Sequence, residues 1–164
     1  MVGQILFLII AAFTLLMALG TVVARNLFHA ALFLVGVFFG IAALFILLEA
    51  EFLAMAQIII YIGAIATLIV FAIMLSKGMM GRESGAYNKQ WYFAGAAMIF
   101  FFGLVSWLLV QMPFVTTNAS VPDDAIQQIG TGFVGHYVVP FEVASVLLLV
   151  ALVGAIMLAR ERNS

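Results

Sequence analysis

The strongest constraint on this chain is a succession of long apolar runs joined by connections almost too short to turn. Five runs occupy 5–24, 27–48, 52–76, 91–112 and 137–159. Each is close to the roughly 20 residues a helix needs to cross a bilayer's hydrocarbon core. Only Arg25 and Asn26 separate the first two runs, and only Glu49, Ala50 and Glu51 separate the next two. Connections that short make neighbouring rods antiparallel and adjacent. The runs lack the period-two alternation of barrel strands. In hydrocarbon every backbone polar group must be satisfied internally, which makes each run a helix. The sequence therefore predicts an all-α integral membrane protein, with five transmembrane helices in a single membrane domain over 1–164.

Composition excludes the other classes. Hydrophobic residues make up 67% of the chain and charged residues 8%, against about half and about a quarter in an average soluble domain. A soluble fold of this size has too little interior to hide so much apolar surface. Nucleic acid is not an expected partner, because no basic patch is present to neutralise phosphates. Low charge and high apolarity also exclude disorder. The chain has no cysteine, so disulfides, thiolate metal sites, cysteine-ligated iron–sulfur clusters and cysteine nucleophiles are excluded. The N-terminal run has no positive leader and is long for a signal peptide, so it is read as the first span.

Orientation follows from the basic residues. With five spans, the first connection, the third connection and the C-terminus share one side. Arg25, Lys77, Arg82, Lys89, Arg160 and Arg162 all fall there, while Glu49, Glu51, Asp123 and Asp124 fall opposite. The positive-inside rule then predicts an outer N-terminus and a cytoplasmic C-terminus. Trp91, Tyr92 and Tyr137 open spans four and five at interfacial depth. The connection 77–90, with Gly78, Gly81 and Gly85, reads as a solvated loop. The outer loop 113–136 is the longest; in it, Asp123 and Asp124 are expected to open a short surface helix through Gln128.

Few polar residues interrupt the spans. Glu142 follows Pro140 near the outer end of span five. It either reaches the outer surface or a partner helix, or serves ion passage. Glu49 and Glu51 flank an outer turn, where Glu51 also favours a helix start. His29 lies about one turn inside span two; with only His136 besides, a metal site is not expected. Span three is the least lipid-like, with Gln57, Tyr61, Gly63, Thr67 and Ser76. Gln57 and Tyr61 are four apart and predict one polar stripe on a regular helix. Gly63, Ala64 and Ala66 allow close approach of another backbone and weaken local rigidity. This stretch is either ordinary helix–helix glue or a local irregularity such as a π-bulge. Gly36 and Gly40 form a small-xxx-small pair in span two. There is no voltage-sensor charge pattern and no filter-like loop, and five unequal spans make no inverted repeat. The chain reads as one part of a larger assembly.

Three runs carry a family resemblance. Asn26-Leu27-Phe28-His29-Ala30-Ala31-Leu32 opens span two, and span three runs from Glu51-Phe52-Leu53-Ala54-Met55-Ala56-Gln57 through Tyr61-Ile62-Gly63-Ala64-Ile65. Span five begins Tyr137-Val138-Val139-Pro140-Phe141-Glu142. In order and spacing these resemble the J subunit of the proton-pumping NADH:quinone oxidoreductase, respiratory complex I, whose mitochondrial counterpart is the sixth ND subunit. The resemblance covers spans one to three and five, while span four and the long outer loop match poorly.

The resemblance implies a non-redox subunit in the bacterial inner (plasma) membrane, with no cofactor in this chain. Flavin, iron–sulfur clusters and quinone are then expected on partner chains. The implied partners are lipid and the H, A, K and antiporter-like subunits. The resemblance further implies a π-bulge at Tyr61, Gly63 and Ala64. Its switching would open or close a water path and couple quinone reduction to proton transfer, with Gln57 and Thr67 supporting a water chain. Some family members carry a glutamate where this chain has Gln57; an amide does not titrate. Three other readings stay open. One is the equivalent subunit of a ferredoxin-, reduced-deazaflavin- or plastoquinone-linked complex. The others are a purely structural scaffold and a small independent channel or transporter.

Overall fold

The computed structural model describes residues 2–76, 91–112, 122 and 124–160. The expected solvated loop 77–90 with Lys77, Arg82 and Lys89, residues 113–121, Asp123 and Arg162 lie outside the described residues. Among the described residues the chain is helical and contains no strand. Its elements are α1 (Val2–Val23), α2 (Leu27–Leu47), α3 (Glu51–Ala56), a π-helical segment (Gln57–Ala66), α4 (Thr67–Ser76), α5 (Trp91–Gln111), α6 (Ala125–Val134) and α7 (Val138–Ala159). The run from α3 through the π segment to α4 forms one continuous third rod, Glu51–Ser76.

Five helices are long and apolar enough to cross a membrane. Their surfaces have the inverted pattern of a multi-pass membrane protein. Large apolar side chains point outward, as at Leu158, which is 91% exposed, while the buried hydrophobic side chains among the described residues are all alanines: Ala31, Ala42, Ala54 and Ala66. Lipid tails are as apolar as leucine, so rods associate through small residues that let backbones approach.

The α1–α2 pair shows this most directly. Asn26 ends the three-residue connection 24–26 by accepting the Phe28 N–H on its side-chain oxygen at 2.9 Å, a standard helix N-cap. Three glycines then zip the pair. A methyl group on Gly40 would collide with the Thr14 side chain, one on Gly36 would meet the Met17 sulfur at 3.0 Å, and one on Gly20 would meet the Phe33 ring at 2.8 Å. The Gly36–Gly40 signal is thus a packing device against α1. On its other side α2 packs against the third rod.

The turn from α2 into the third rod is equally specific. The Ala50 N–H donates to the Phe45 carbonyl at 2.9 Å, and the Glu49 N–H donates to the Ile46 carbonyl at 3.0 Å. This pair of bonds is a Schellman motif, whose C′ residue sits in the left-handed region. Here that residue is Glu49, at φ 57°; glycine is the usual occupant.

The outer-loop helix runs further than the sequence predicts. It continues past Gln128 to Val134, through Gly130 and Gly132. The Gln128 amide donates to the Asp124 carboxylate at 2.9 Å. Only Gly135–Tyr137 separates α6 from α7. Pro140 falls in the first turn of α7, where a missing N–H removes no helical bond. Among the residues whose side chains are described, none of α5 or α7 is buried.

Candidate functional site

In an α-helix each N–H bonds four residues back; in a π-helix it bonds five back, so each turn holds more residues. Most π segments are single-turn bulges, and they concentrate at functional sites. The third rod devotes ten residues to this register, Gln57–Ala66.

Local sequence makes a regular register harder to keep. Ile58, Ile59 and Ile60, followed by Ile62 and Ile65, are β-branched and crowd the preceding turn of a regular helix. Gly63 removes a side chain at the centre of the run and softens the backbone. A methyl group there would lie 3.4 Å from the Ile58 carbonyl oxygen, an ordinary contact.

The two boundaries are asymmetric. At the start the Gln57 N–H is shared between the Ala54 and Leu53 carbonyls, three and four residues back. At the end the Thr67 N–H donates to the Ala64 carbonyl. The Thr67 hydroxyl donates to the Ile62 carbonyl at 3.1 Å, five residues back.

The register redistributes the faces of the rod. Gln57 is 6% exposed and Tyr61 45% exposed. On a regular helix the two would share a face. Four residues apart, the two stay near one face in the wider register as well, with Gln57 buried and Tyr61 nearer the edge of the contact. Tyr61 meets Phe38 of α2 edge to face, with centroids 5.5 Å apart and an interplanar angle of 64°. Gln57 is the one buried polar side chain among the described residues.

The structure gathers Gln57, Tyr61, Gly63 and Ala64 inside the π segment, with Thr67 directly after it. Glu51 opens α3 as the acidic residue of its first turn, a position the helix dipole favours. Glu142 is exposed near the start of α7. His29 lies at the other end of α2 from Glu49, its ring 6.2 Å from that of Phe28, and takes no part in the π segment. Among the described residues no group of three His, Cys, Asp or Glu is placed to hold a metal ion.

Sequence reasoning missed one connecting feature. Phe133 of α6 lies between Phe52, at 6.1 Å, and Phe141, at 5.9 Å. This row of rings ties α6 to the start of the third rod and to the start of α7. It places the ends bearing Glu51 and Glu142 on the same side of the bundle. In a chain with 16 phenylalanines, no local pattern singles out these three.

Known proteins share this sequence over nearly its whole length. Residues 17–158 match the family described as NADH-ubiquinone/plastoquinone oxidoreductase chain 6. The chain belongs to this family. Similar chain 6 proteins include the NAD(P)H-quinone oxidoreductase chain 6 of Leptolyngbya boryana, 40% identical over 158 residues, covering 94% of this chain and 78% of the relative. That of Synechocystis sp. is 38% identical over 165 residues, covering 98% and 82%. The F(420)H(2) dehydrogenase subunit J of Methanosarcina mazei is 37% identical over 165 residues, covering 96% and 91%. As a chain 6 family member, the protein is a membrane subunit of a multi-chain oxidoreductase. The π-bulge that the J-subunit resemblance implies is present, and it extends well beyond Tyr61–Ala64.

Proposed function

We propose that this chain is the J-type subunit of a proton-translocating NADH:quinone oxidoreductase and that its third rod is the complex's conformational gate. The observation that carries the reading is the ten-residue π segment holding Gln57, Tyr61, Gly63 and Ala64. Converting it to the regular register changes the residue count per turn. Each residue of slippage turns everything downstream by about 100°, since a helix has 3.6 residues per turn. Thr67–Ser76 would then present a different face to its neighbours. Tyr61 and the residues after it would shift relative to Gln57, opening or closing a water path beside it.

In this reading protons pass along water beside Gln57 and Thr67, whose side chains bond water without titrating. Glu51 and Glu142 are polar contacts at the outer end. Flavin, iron–sulfur clusters and quinone belong to partner chains, and the H, A, K and antiporter-like subunits cover the exposed rods. The N-terminus faces outward and the C-terminus the cytoplasm of a bacterial inner membrane. The relatives' names span plastoquinone-linked and F(420)H(2)-linked complexes. The same gate serves any of these electron inputs, because the input is made on other chains.

The test is Gly63→Val in the assembled complex. A β-branched residue at the centre of the segment should reduce protons translocated per quinone reduced, while assembly and electron transfer persist. An unchanged proton yield removes the gate assignment and favours a scaffold role.

A further inference from the structure

A polar side chain buried at membrane depth needs a hydrogen-bonding partner, and lipid tails offer none. Thr14 and Thr21 meet that need inside the chain, donating to the Ile10 and Met17 carbonyls at 2.8 and 3.0 Å. Gln57 does not. It is 6% exposed and stands six residues, about 9 Å, along the rod from Glu51. Its amide makes no hydrogen bond among the described residues. Nor is the amide sealed in, because every fully occluded side-chain nitrogen or oxygen of the described residues has a partner. The amide therefore reaches the surface of the subunit beside α2, against which the π segment packs. Tyr61, four residues on and near the same face, is 45% exposed. Its hydroxyl also has no hydrogen bond among the described residues, while its ring is in contact with Phe38.

We propose that the Gln57 amide is a docking contact for a transmembrane helix of a partner chain, which brings a hydrogen-bonding side chain to the seam between α2 and the third rod. Lipid cannot be the occupant, because a desolvated amide without a bond is disfavoured and hydrocarbon cannot supply one. A partner helix can be, since the chain is a subunit of a multi-chain oxidoreductase. The spacing fits a helix too. Gln57 and Tyr61 are about one turn apart, so one facing helix meets both with polar side chains three or four residues apart. The amide has two donor hydrogens and two acceptor lone pairs. A hydroxyl, amide or carboxyl of the partner serves it, and the positions left over remain for the water path proposed above. The Gln57 N–H is bonded to the Leu53 and Ala54 carbonyls, four and three residues back, as in α3. The contact thus fastens the start of the π segment, ahead of the residues that the gate would shift.

The inference rests on the reading that partner chains cover the exposed rods, and not on the gate. The test uses the whole complex in native lipid. A cryo-electron microscopy map of the parent should show a polar side-chain atom of another chain within hydrogen-bond distance of the Gln57 amide. Gln57→Met keeps the length of the side chain and removes the hydrogen bonds; Gln57→Leu repeats the deletion if methionine packs badly. Under a fixed detergent challenge, the ratio of complex that keeps the facing chain to complex that loses it should fall roughly two- to tenfold in Gln57→Met, the population equivalent of one hydrogen bond. Protons moved per quinone reduced are measured on the particles that stay whole. Weakened retention with an unchanged proton yield supports the contact and counts against the water path beside Gln57. A map in which only water or lipid tails face the amide overturns the contact, as does parent-like retention in both Gln57→Met and Gln57→Leu, whatever the proton yield.

Discussion

The α1–α2 pair and the third rod are built from the same kinds of residue yet behave as opposites. Both are almost wholly apolar, and both contain glycine and a back-bonding threonine. In the pair, Gly40 faces Thr14 so closely that no methyl group fits, and the Thr14 and Thr21 hydroxyls keep the four-residue spacing of a regular helix. In the third rod, a methyl group on Gly63 would make an ordinary contact with the Ile58 carbonyl oxygen at 3.4 Å, and the Thr67 hydroxyl keeps a five-residue spacing. Glycine at a rod–rod contact fixes a distance. Glycine among β-branched neighbours, away from a contact, loosens a register. The first arrangement makes a close-packed frame; the second is the part that the proposed gate would move against it.

Paired substitutions break or sharpen that contrast. Gly40→Ala overpacks a tight contact and should destabilise the subunit by about 1–3 kcal/mol, seen as lower yield of assembled complex and earlier thermal inactivation. Gly63→Ala should leave assembly intact, because its nearest neighbour is at 3.4 Å. Equal effects at the two sites would mean that the rods do not differ as described.

A smaller loss is expected from Phe133→Ala. Phe133 contacts both Phe52 and Phe141, and each such pair contributes about 0.5–1.5 kcal/mol beyond its buried area. Thermal unfolding of the purified complex should shift downward, and limited proteolysis should cut the outer loop faster. If neither changes, the ring row does not anchor the start of the third rod.

The smallest effect is a gain. Glu49→Gly relieves a left-handed residue, a conformation that costs a non-glycine residue about 1–2 kcal/mol. Thermal stability should rise slightly with pumping unchanged. Reduced pumping would instead assign the Glu49 carboxylate a part in function.

How much of this was legible in the sequence depends on which interactions write each feature. Hydrocarbon thickness writes the spans directly, and the helices match the apolar runs to within a few residues at each end. The Gly36–Gly40 contact was legible because a four-residue spacing holds on any regular helix. The Gln57–Tyr61 spacing survives the wider register, because four residues are close to one turn in either form; what it did not reveal is that Gln57 is buried while Tyr61 is not. The resemblance, and the small residues around Gly63, pointed to the right stretch. The extent of the π segment was not legible, because residue spacing does not state which carbonyl each N–H will take. The outer helix ran past Gln128 because Gly130 and Gly132 did not stop it; the Thr131 hydroxyl bonds back to the Gln127 carbonyl at 3.0 Å within the same helix. The Phe52–Phe133–Phe141 row joins residues far apart in a phenylalanine-rich chain, and only the fold brings them together.

The central claim is that the third rod changes register while the α1–α2 frame stays fixed. Density maps of the complete complex, frozen at rest and during steady turnover, test it most directly through the hydrogen-bond partners of residues 57–67. The account predicts two populations, one wide and one regular, with Thr67–Ser76 rotated by about 100° per residue of slippage between them and α1–α2 superimposable. A single register and a single rotation in both conditions, in a complex that pumps normally, would contradict it.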